Sequence, residues 1–332
     1  MKIIIILCRF FIFSLLFLYS FACSYPTKNQ NFAQVPNGFQ GSYLVLKDGV
    51  ILDSKGLGLA NNASREKNDL DTLFRVGSIS KPITAIAIAK FLERGQLRIG
   101  QKISEIPNLN WQGDVTIRDL LKHTSGIANV ENPRYANSFK NVTDADDLHA
   151  RILSMRSFGK SGSAYSYSST NFLLLGIIVE KLSGSYRDFV KKTVFDPAGA
   201  IRSGFDFPFG PLGEGYAAPE GNPNGPRESN NFPFSAGAFV TSINELLKID
   251  QAMKQGKIID VRNLSNLMRN NMGFMQFGAM YFHPGVIDSY HAAWFTSLPE
   301  ESNHAIFVFS NSRKSRMVSR EIAQQLKAQY GL

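Results

Sequence analysis

Apolar runs along the chain are separated by short polar breaks, and the breaks predict which runs are strands and which are helices. Residues 41–46 and 50–52 are apolar-rich and flank Lys47-Asp48-Gly49. An Asp-Gly pair between two such runs predicts a β-hairpin. Residues 82–94 form a longer apolar-rich stretch that stops at Gly95, which predicts a buried helix. Thr116, with Asp119 three residues on, predicts a helix start with an imperfect capping box, and Gly126 is its expected stop. Residues 172–182 and 242–254 predict two further helices, the first ending at Ser183-Gly184. Residues 292–295 and 305–309 are short β-like runs, and Val318–Tyr330 reads as a final amphipathic helix. Residues 205–234 hold many Gly, Pro and Asn with little periodicity and predict a long loop.

The order is therefore hairpin, helical middle, then strands and a last helix. The fold class expected is α/β (α+β), with an antiparallel sheet formed from both chain ends, flanked by helices, and a mostly helical inserted subdomain. Gly56-Leu57-Gly58 has no third glycine at nucleotide-binding spacing, so it does not predict a phosphate site. There is no internal repeat.

Composition narrows the class. The 332 residues are 44% hydrophobic and 19% charged, which suits a globular chain with one large domain or two closely packed subdomains. Residues 1–22 carry Lys2 and Arg9, no acid, and an apolar run that leads to Ser20-Phe21-Ala22. They read as a signal peptide, followed by a linker over residues 23–37 and one main domain over residues 38–332. The expected location is the periplasm or cell envelope. The only cysteines are Cys8, inside the leader, and Cys23, directly after it. A mature chain can thus form no internal disulfide. Cys23 stands where a lipid anchor would attach, giving a route to cell-envelope association.

Formal charge is +9, but the basic residues are scattered, without a long Lys/Arg run or interleaved aromatics. Nucleic acid is a poor partner for such a surface, and a carboxylate-bearing substrate or anionic envelope surface a better one. The five histidines show no metal-ligand spacing, so neither metal nor cofactor is expected. No G-x-S-x-G elbow is present, which disfavours a Ser-His-Asp hydrolase.

One segment carries chemistry of its own. In Gly77-Ser78-Ile79-Ser80-Lys81 a serine precedes a lysine by three, at the entry to the first long helix. Positions i and i+3 share a helix face, so hydroxyl and amine can meet. A serine hydroxyl is a poor nucleophile until a neighbouring base takes its proton, and a neutral amine can do so.

With its flanks, Asp71-Thr72-Leu73-Phe74-Arg75-Val76-Gly77-Ser78-Ile79-Ser80-Lys81 resembles the nucleophile segment of the serine β-lactamase superfamily: class C β-lactamases, D-alanyl-D-alanine carboxypeptidases and related esterases. Tyr165-Ser166-Tyr167-Ser168-Ser169-Thr170-Asn171 resembles the superfamily's second motif, a tyrosine two residues before an asparagine. The resemblance implies Tyr167 as a second proton carrier. Ser169 stands where the family usually has an asparagine that contacts substrate amides, and Asn171 is a candidate to compensate. His283-Pro284-Gly285-Val286 resembles the family's third motif, a strand bordering the active site, with Asp288 and Ser289 as departures. The resemblance implies that His283 supports the tyrosine or binds a substrate carboxylate. It also implies that Gly285 lets the strand approach closely, and that the backbone N–H groups of Ser78 and Val286 form an oxyanion hole. Lys122-His123-Thr124-Ser125-Gly126 also matches the family and reads as structural, and Ala236-Gly237-Ala238-Phe239-Val240-Thr241-Ser242 resembles the family's Gly-Gly-containing turn before a helix. The function expected is an acyl-enzyme hydrolase acting on a β-lactam, a D-Ala-type peptide or a small ester. The alternative is a catalytically weak or inactive binder of peptidoglycan fragments with the same fold.

Overall fold

In the computed structural model Asp48 and Gly49 both take left-handed conformations, φ 50° and 79°, and Lys47 pairs with Val50 across them. This is the backbone that a tight two-residue hairpin demands. The structure describes residues 38–332 apart from 140–141, 143–144, 156–160, 163, 206–215, 223–233 and 313–317. The expected leader and linker lie outside the described residues, as does most of the expected loop over 205–234.

The hairpin forms one edge of a six-stranded antiparallel sheet. Its order is Val50–Leu57, Gly41–Lys47, Ala305–Ser310, Tyr290–Thr296, Met280–Ile287 and Met275–Phe277. Both chain ends thus build one sheet, as expected. The central strands are buried on both faces. Tyr43, Val45, Phe295, Ile306 and Val308 face the Val318–Tyr330 helix through Ile322, Ala323 and Leu326. Leu44, Leu46, Trp294, Phe307 and Phe309 face the other way, into the larger core shared with the inserted helices. Period-two alternation along the strands supplies both faces.

Two helices organise that larger core. Ser80–Glu93 is buried from Ser80 through Ala89, with Pro82 in its first turn, where a missing N–H costs little. Ser169–Ser183 is buried from Ser169 through Val179 and ends at Gly184, φ 86°, as expected. It begins three residues before the stretch its apolar pattern predicts, because Ser169, Thr170 and Asn171 are polar yet buried.

The Thr116 start departs from expectation in its favour. Thr116 accepts from the Asp119 amide and Asp119 reaches back to the Thr116 amide, so the capping box is complete. The helix, Ile117–Leu121, stops well before Gly126. His123 ends it instead, in a left-handed conformation at φ 57°, and that turn is what brings its ring to the site described next.

Candidate active site

Three segments meet at Ser78. The first is the nucleophile turn. The short strand Phe74–Arg75 pairs with Phe239–Thr241, and a 3-10 turn, Gly77–Ile79, leads into the Ser80–Glu93 helix. Ser80 Oγ donates to the Gly77 carbonyl at 2.7 Å and accepts from the Phe239 amide at 3.0 Å, which fixes the turn. Lys81 follows in the first helical turn with no exposed surface. Its Nζ donates to Ser78 Oγ at 2.8 Å and to the Ala236 carbonyl at 2.9 Å. That carbonyl belongs to the short helix Phe234–Gly237. Thr84 ties it to the nucleophile helix, donating to the Ser235 carbonyl at 2.6 Å.

The second segment enters the Ser169–Ser183 helix. Tyr167 Oη donates to Ser78 Oγ at 3.0 Å, and Lys81 Nζ lies 5.1 Å from the Tyr167 ring centre. His123 stacks on the Tyr167 ring, centroids 4.6 Å apart. Its Nδ1 accepts from the Ser168 amide and its carbonyl from the Ser166 amide, so it grips the tyrosine's backbone on both sides.

The third segment is the strand Met280–Ile287. Its outer neighbour, Met275–Phe277, pairs only as far as Phe282, so Pro284 removes no ladder bond there. The strand then runs against the nucleophile turn. A Cβ on Gly285 would lie 1.9 Å from the Val76 carbonyl oxygen and 3.3 Å from the Ser78 amide nitrogen. A Cβ on Gly77, itself at φ 52°, would lie under 3 Å from the Val286 backbone. Both positions require glycine, and the Ser78 and Val286 backbones are thereby brought side by side. Past the strand, Asp288 forms an ion pair with Arg75 that is almost fully buried on both sides.

Burial sets the charge of the two site histidines. The His283 imidazole is pushed down to about 3, chiefly by burial and then by the Lys81 charge. His123 is likewise pushed down to about 3 by the same two causes. Both rings are therefore neutral near pH 7. His283 lies with its ring centre 6.4 Å from that of Tyr167 and its Nδ1 2.7 Å from the Pro284 carbonyl. It is suited to backing the tyrosine and offers no cation to a substrate carboxylate.

A β-lactamase family model matches residues 29–329. The chain belongs to the β-lactamase family. It is a serine hydrolase with the penicillin-binding-protein fold. It is 25% identical to the putative penicillin-binding protein PbpX of Bacillus subtilis over 87% of this chain and 75% of that one. Other curated relatives match about half of this chain and about a third of their own length. Among solved structures, a penicillin-binding protein from Bacillus halodurans superposes with TM-score 0.73 at 23% identity, over 87% of this chain and 95% of that one. The D-amino acid amidase of Ochrobactrum anthropi, solved with L-phenylalanine amide, superposes with TM-score 0.65 at 20% identity, over 82% and 85%.

Within this family frame, Ser78, Lys81 and Tyr167 share hydrogen bonds, and Gly285 and Val286 lie against them. Ser169 does not open into free space. It is buried, and its hydroxyl donates to the Glu131 carboxylate. Asn171 does not compensate for it. Its Oδ1 accepts from Ser125 at 2.6 Å, and its amide nitrogen lies beside His123, fully buried. The structure adds three residues the sequence reading did not assign to the site: His123, Asn129 and Glu131. His123 lay in a matched segment that reads as structural. Asn129 and Glu131 sit in an irregular stretch with no periodic signal.

Two outcomes are expected. Replacing Asp288 by Ala removes the buried carboxylate that pairs with Arg75 and should lower stability by about 3–5 kcal/mol in denaturant unfolding, because breaking one side of a buried pair is strongly destabilising. Second, neither histidine should titrate between pH 5 and 8 in an NMR pH series of the imidazole protons. Their folded values lie below the unfolded value of about 6.5, so the unfolded chain takes protons first. Stability should therefore fall as pH drops below about 6.5, by at most about 1.4 kcal/mol per pH unit for each ring.

Proposed function

We propose that the chain is an exported acyl-enzyme hydrolase acting on D-alanyl-type peptides or related small amides and esters, with β-lactams as poor substrates. The observation that carries this reading is the convergence of the Lys81 amine and the Tyr167 phenol on one serine oxygen, at 2.8 and 3.0 Å. In this mechanism Ser78 Oγ attacks the carbonyl carbon while its proton passes to the Lys81–Tyr167 pair. The oxyanion that forms is held by the Ser78 and Val286 amides. As the bond to the leaving amine or alcohol breaks, the same pair returns the proton to it. Water then attacks the Ser78 ester, gives a proton to the pair, and Ser78 recovers one as the acid departs.

The similarity to a putative penicillin-binding protein and to a D-amino acid amidase supports this substrate class. Ser169 supports the low weight on β-lactams, since its short hydroxyl is engaged by Glu131 and leaves no carboxamide at that position for a side-chain amide. Export rests on the character of residues 1–22, and envelope attachment on Cys23.

Ser78→Ala should abolish turnover of any ester or amide substrate with the fold intact by circular dichroism; wild-type-like activity in that variant would sink the mechanism. Lys81→Ala should lose ~10²–10⁴-fold in kcat/KM and more than His283→Ala, because the lysine touches the nucleophile. The reverse order would reassign the roles. Intact-mass analysis of cell-envelope fractions should find a mature terminus at Cys23 or within two residues after it. A diacylglycerol mass on Cys23 identifies the lipoprotein form, and an unprocessed Met1 terminus on cytoplasmic protein rules export out.

A further inference from the structure

The Ala236 carbonyl holds one N–H of Lys81, 2.9 Å from Nζ, yet it sits on a helix of four residues, Phe234–Gly237, too short to sustain itself. That helix is also entered under strain. Phe234 has φ 23°, which disfavours a bulky side chain, and such a backbone persists only where its surroundings hold it. Two long helices do the holding, and both act on Ser235. Its Oγ donates to the Phe172 carbonyl at 2.8 Å. A Cβ on Gly176 would lie 2.0 Å from that oxygen, so the Ser169–Ser183 helix makes room for it with a glycine. From the other side, the Ser235 carbonyl accepts from Thr84 Oγ1 at 2.6 Å.

Thr84 is fully buried, and its hydroxyl has two more neighbours: the Ser80 carbonyl at 3.1 Å and Tyr186 Oη at 2.7 Å. A hydroxyl has one proton to give. Two oxygens 2.6 Å apart, one of them a carbonyl, require that proton between them. The bond to Tyr186 is therefore one that Thr84 accepts. Tyr186 can supply it, because burial raises its phenol well above the ordinary value and keeps it protonated. The same ring packs on Phe234, centroids 5.0 Å apart. Tyr186 thus orients the Thr84 hydroxyl and backs the strained residue at once.

Resting on the hydrolase reading above, we propose that Thr84, its proton direction set by Tyr186, is a positioning residue for Lys81. It acts through the peptide between Ser235 and Ala236. Fixing the Ser235 carbonyl fixes the next carbonyl along the turn, and that one takes an N–H of the lysine. An amine that is to accept the Ser78 proton has two N–H bonds and one lone pair. With one N–H pinned to Ala236, rotation about the Cε–Nζ bond is restricted and the lone pair is kept toward Ser78 Oγ. As that oxygen attacks, its proton passes to the lone pair. Neither Thr84 nor Tyr186 touches the reacting atoms, so their effect falls on the rate of proton removal and not on substrate binding.

Two probes read the nucleophile: a short-chain nitrophenyl ester for turnover, and a fluorophosphonate, whose phosphorus bonds to Ser78 Oγ as fluoride leaves. Thr84→Val keeps the side-chain shape and removes the hydroxyl. It should lower kcat and the labelling rate by about 10- to 100-fold with KM little changed, the range for a small misplacement of a reacting group. Thr84→Ser keeps the hydroxyl and should recover most of the rate. Tyr186→Phe should cost less than Thr84→Val, because Thr84 can still reach Ser235, and adding it to Thr84→Val should cost little more. A purely structural role would instead lower the melting temperature and leave kcat of the folded protein native. A crystal structure of Thr84→Val reads the geometry without activity: the Ala236 carbonyl should lie beyond about 3.5 Å from Lys81 Nζ. Should Thr84→Val not fold, Tyr186→Phe carries the test, and native rates in it overturn the proposal. Native rates in folded Thr84→Val, or an unmoved Ala236 carbonyl, also overturn it. A displaced carbonyl in Thr84→Val, together with native protein that neither labels at Ser78 nor cleaves the ester, leaves the positioning role standing and refutes the hydrolase reading. Equal labelling of native and Thr84→Val protein does the opposite.

Discussion

The site depends on one backbone-to-backbone contact, the approach of the Met280–Ile287 strand to the Gly77–Ile79 turn. Two glycines make it possible, and no side chain fits between the elements at either position. Each partner is held from behind. The strand is bonded into the sheet through Tyr290–Thr296, and so indirectly to the N-terminal hairpin. The turn leads into a helix buried all round, whose position the core fixes. Arg75 and Asp288 then tie the two elements together just outside the contact. A sheet assembled from both chain ends is thus the means by which Ser78 and Val286, 208 positions apart in sequence, present two adjacent amides.

The same arrangement explains what was legible in the sequence. The hairpin, the long helices and the last helix follow from apolar period and turn residues within one segment. Ser78 and Lys81 were legible for the same reason, being one helical turn apart. Tyr167 and Gly285 came only through resemblance to a family, since nothing local to them says that they meet Ser78. The edge strand Met275–Phe277 has too little alternation over three residues to announce itself. His123 was hidden by its role in a helix stop, where Gly126 offered the more obvious signal. A histidine at positive φ is uncommon, and the turn it closes is what carries its ring onto Tyr167. Glu131 and Asn129 act through hydrogen bonds to a helix start 38 and 40 residues away, a relation that no periodicity encodes.

Charge is distributed in two layers around Ser78. In the inner layer Lys81 is wholly buried, flanked by two imidazoles that burial keeps neutral, and none of the ion pairs among the described residues involves it. Its partners there are a hydroxyl and a carbonyl. Such a layer supplies proton traffic and hydrogen bonds, and its energetics change little with solvent conditions above the titration range of the histidines. In the outer layer Glu131 and Arg134 are exposed and line a cavity beside Tyr167.

This division separates reaction from selection. Any acyl donor that places a carbonyl at Ser78 meets the same inner layer, so that layer discriminates little between an ester, an amide and a lactam. Discrimination needs groups that touch the part of the substrate that varies. Loops can supply such groups without disturbing the core, and Asn129 and Glu131 sit on one that leads into the 3-10 turn Pro133–Phe139. Ser169 joins the two layers: it is buried at the start of a core helix, yet its hydroxyl sets the position of the exposed carboxylate. A short hydroxyl at the start of a core helix is thus the anchor for a carboxylate supplied by a neighbouring loop.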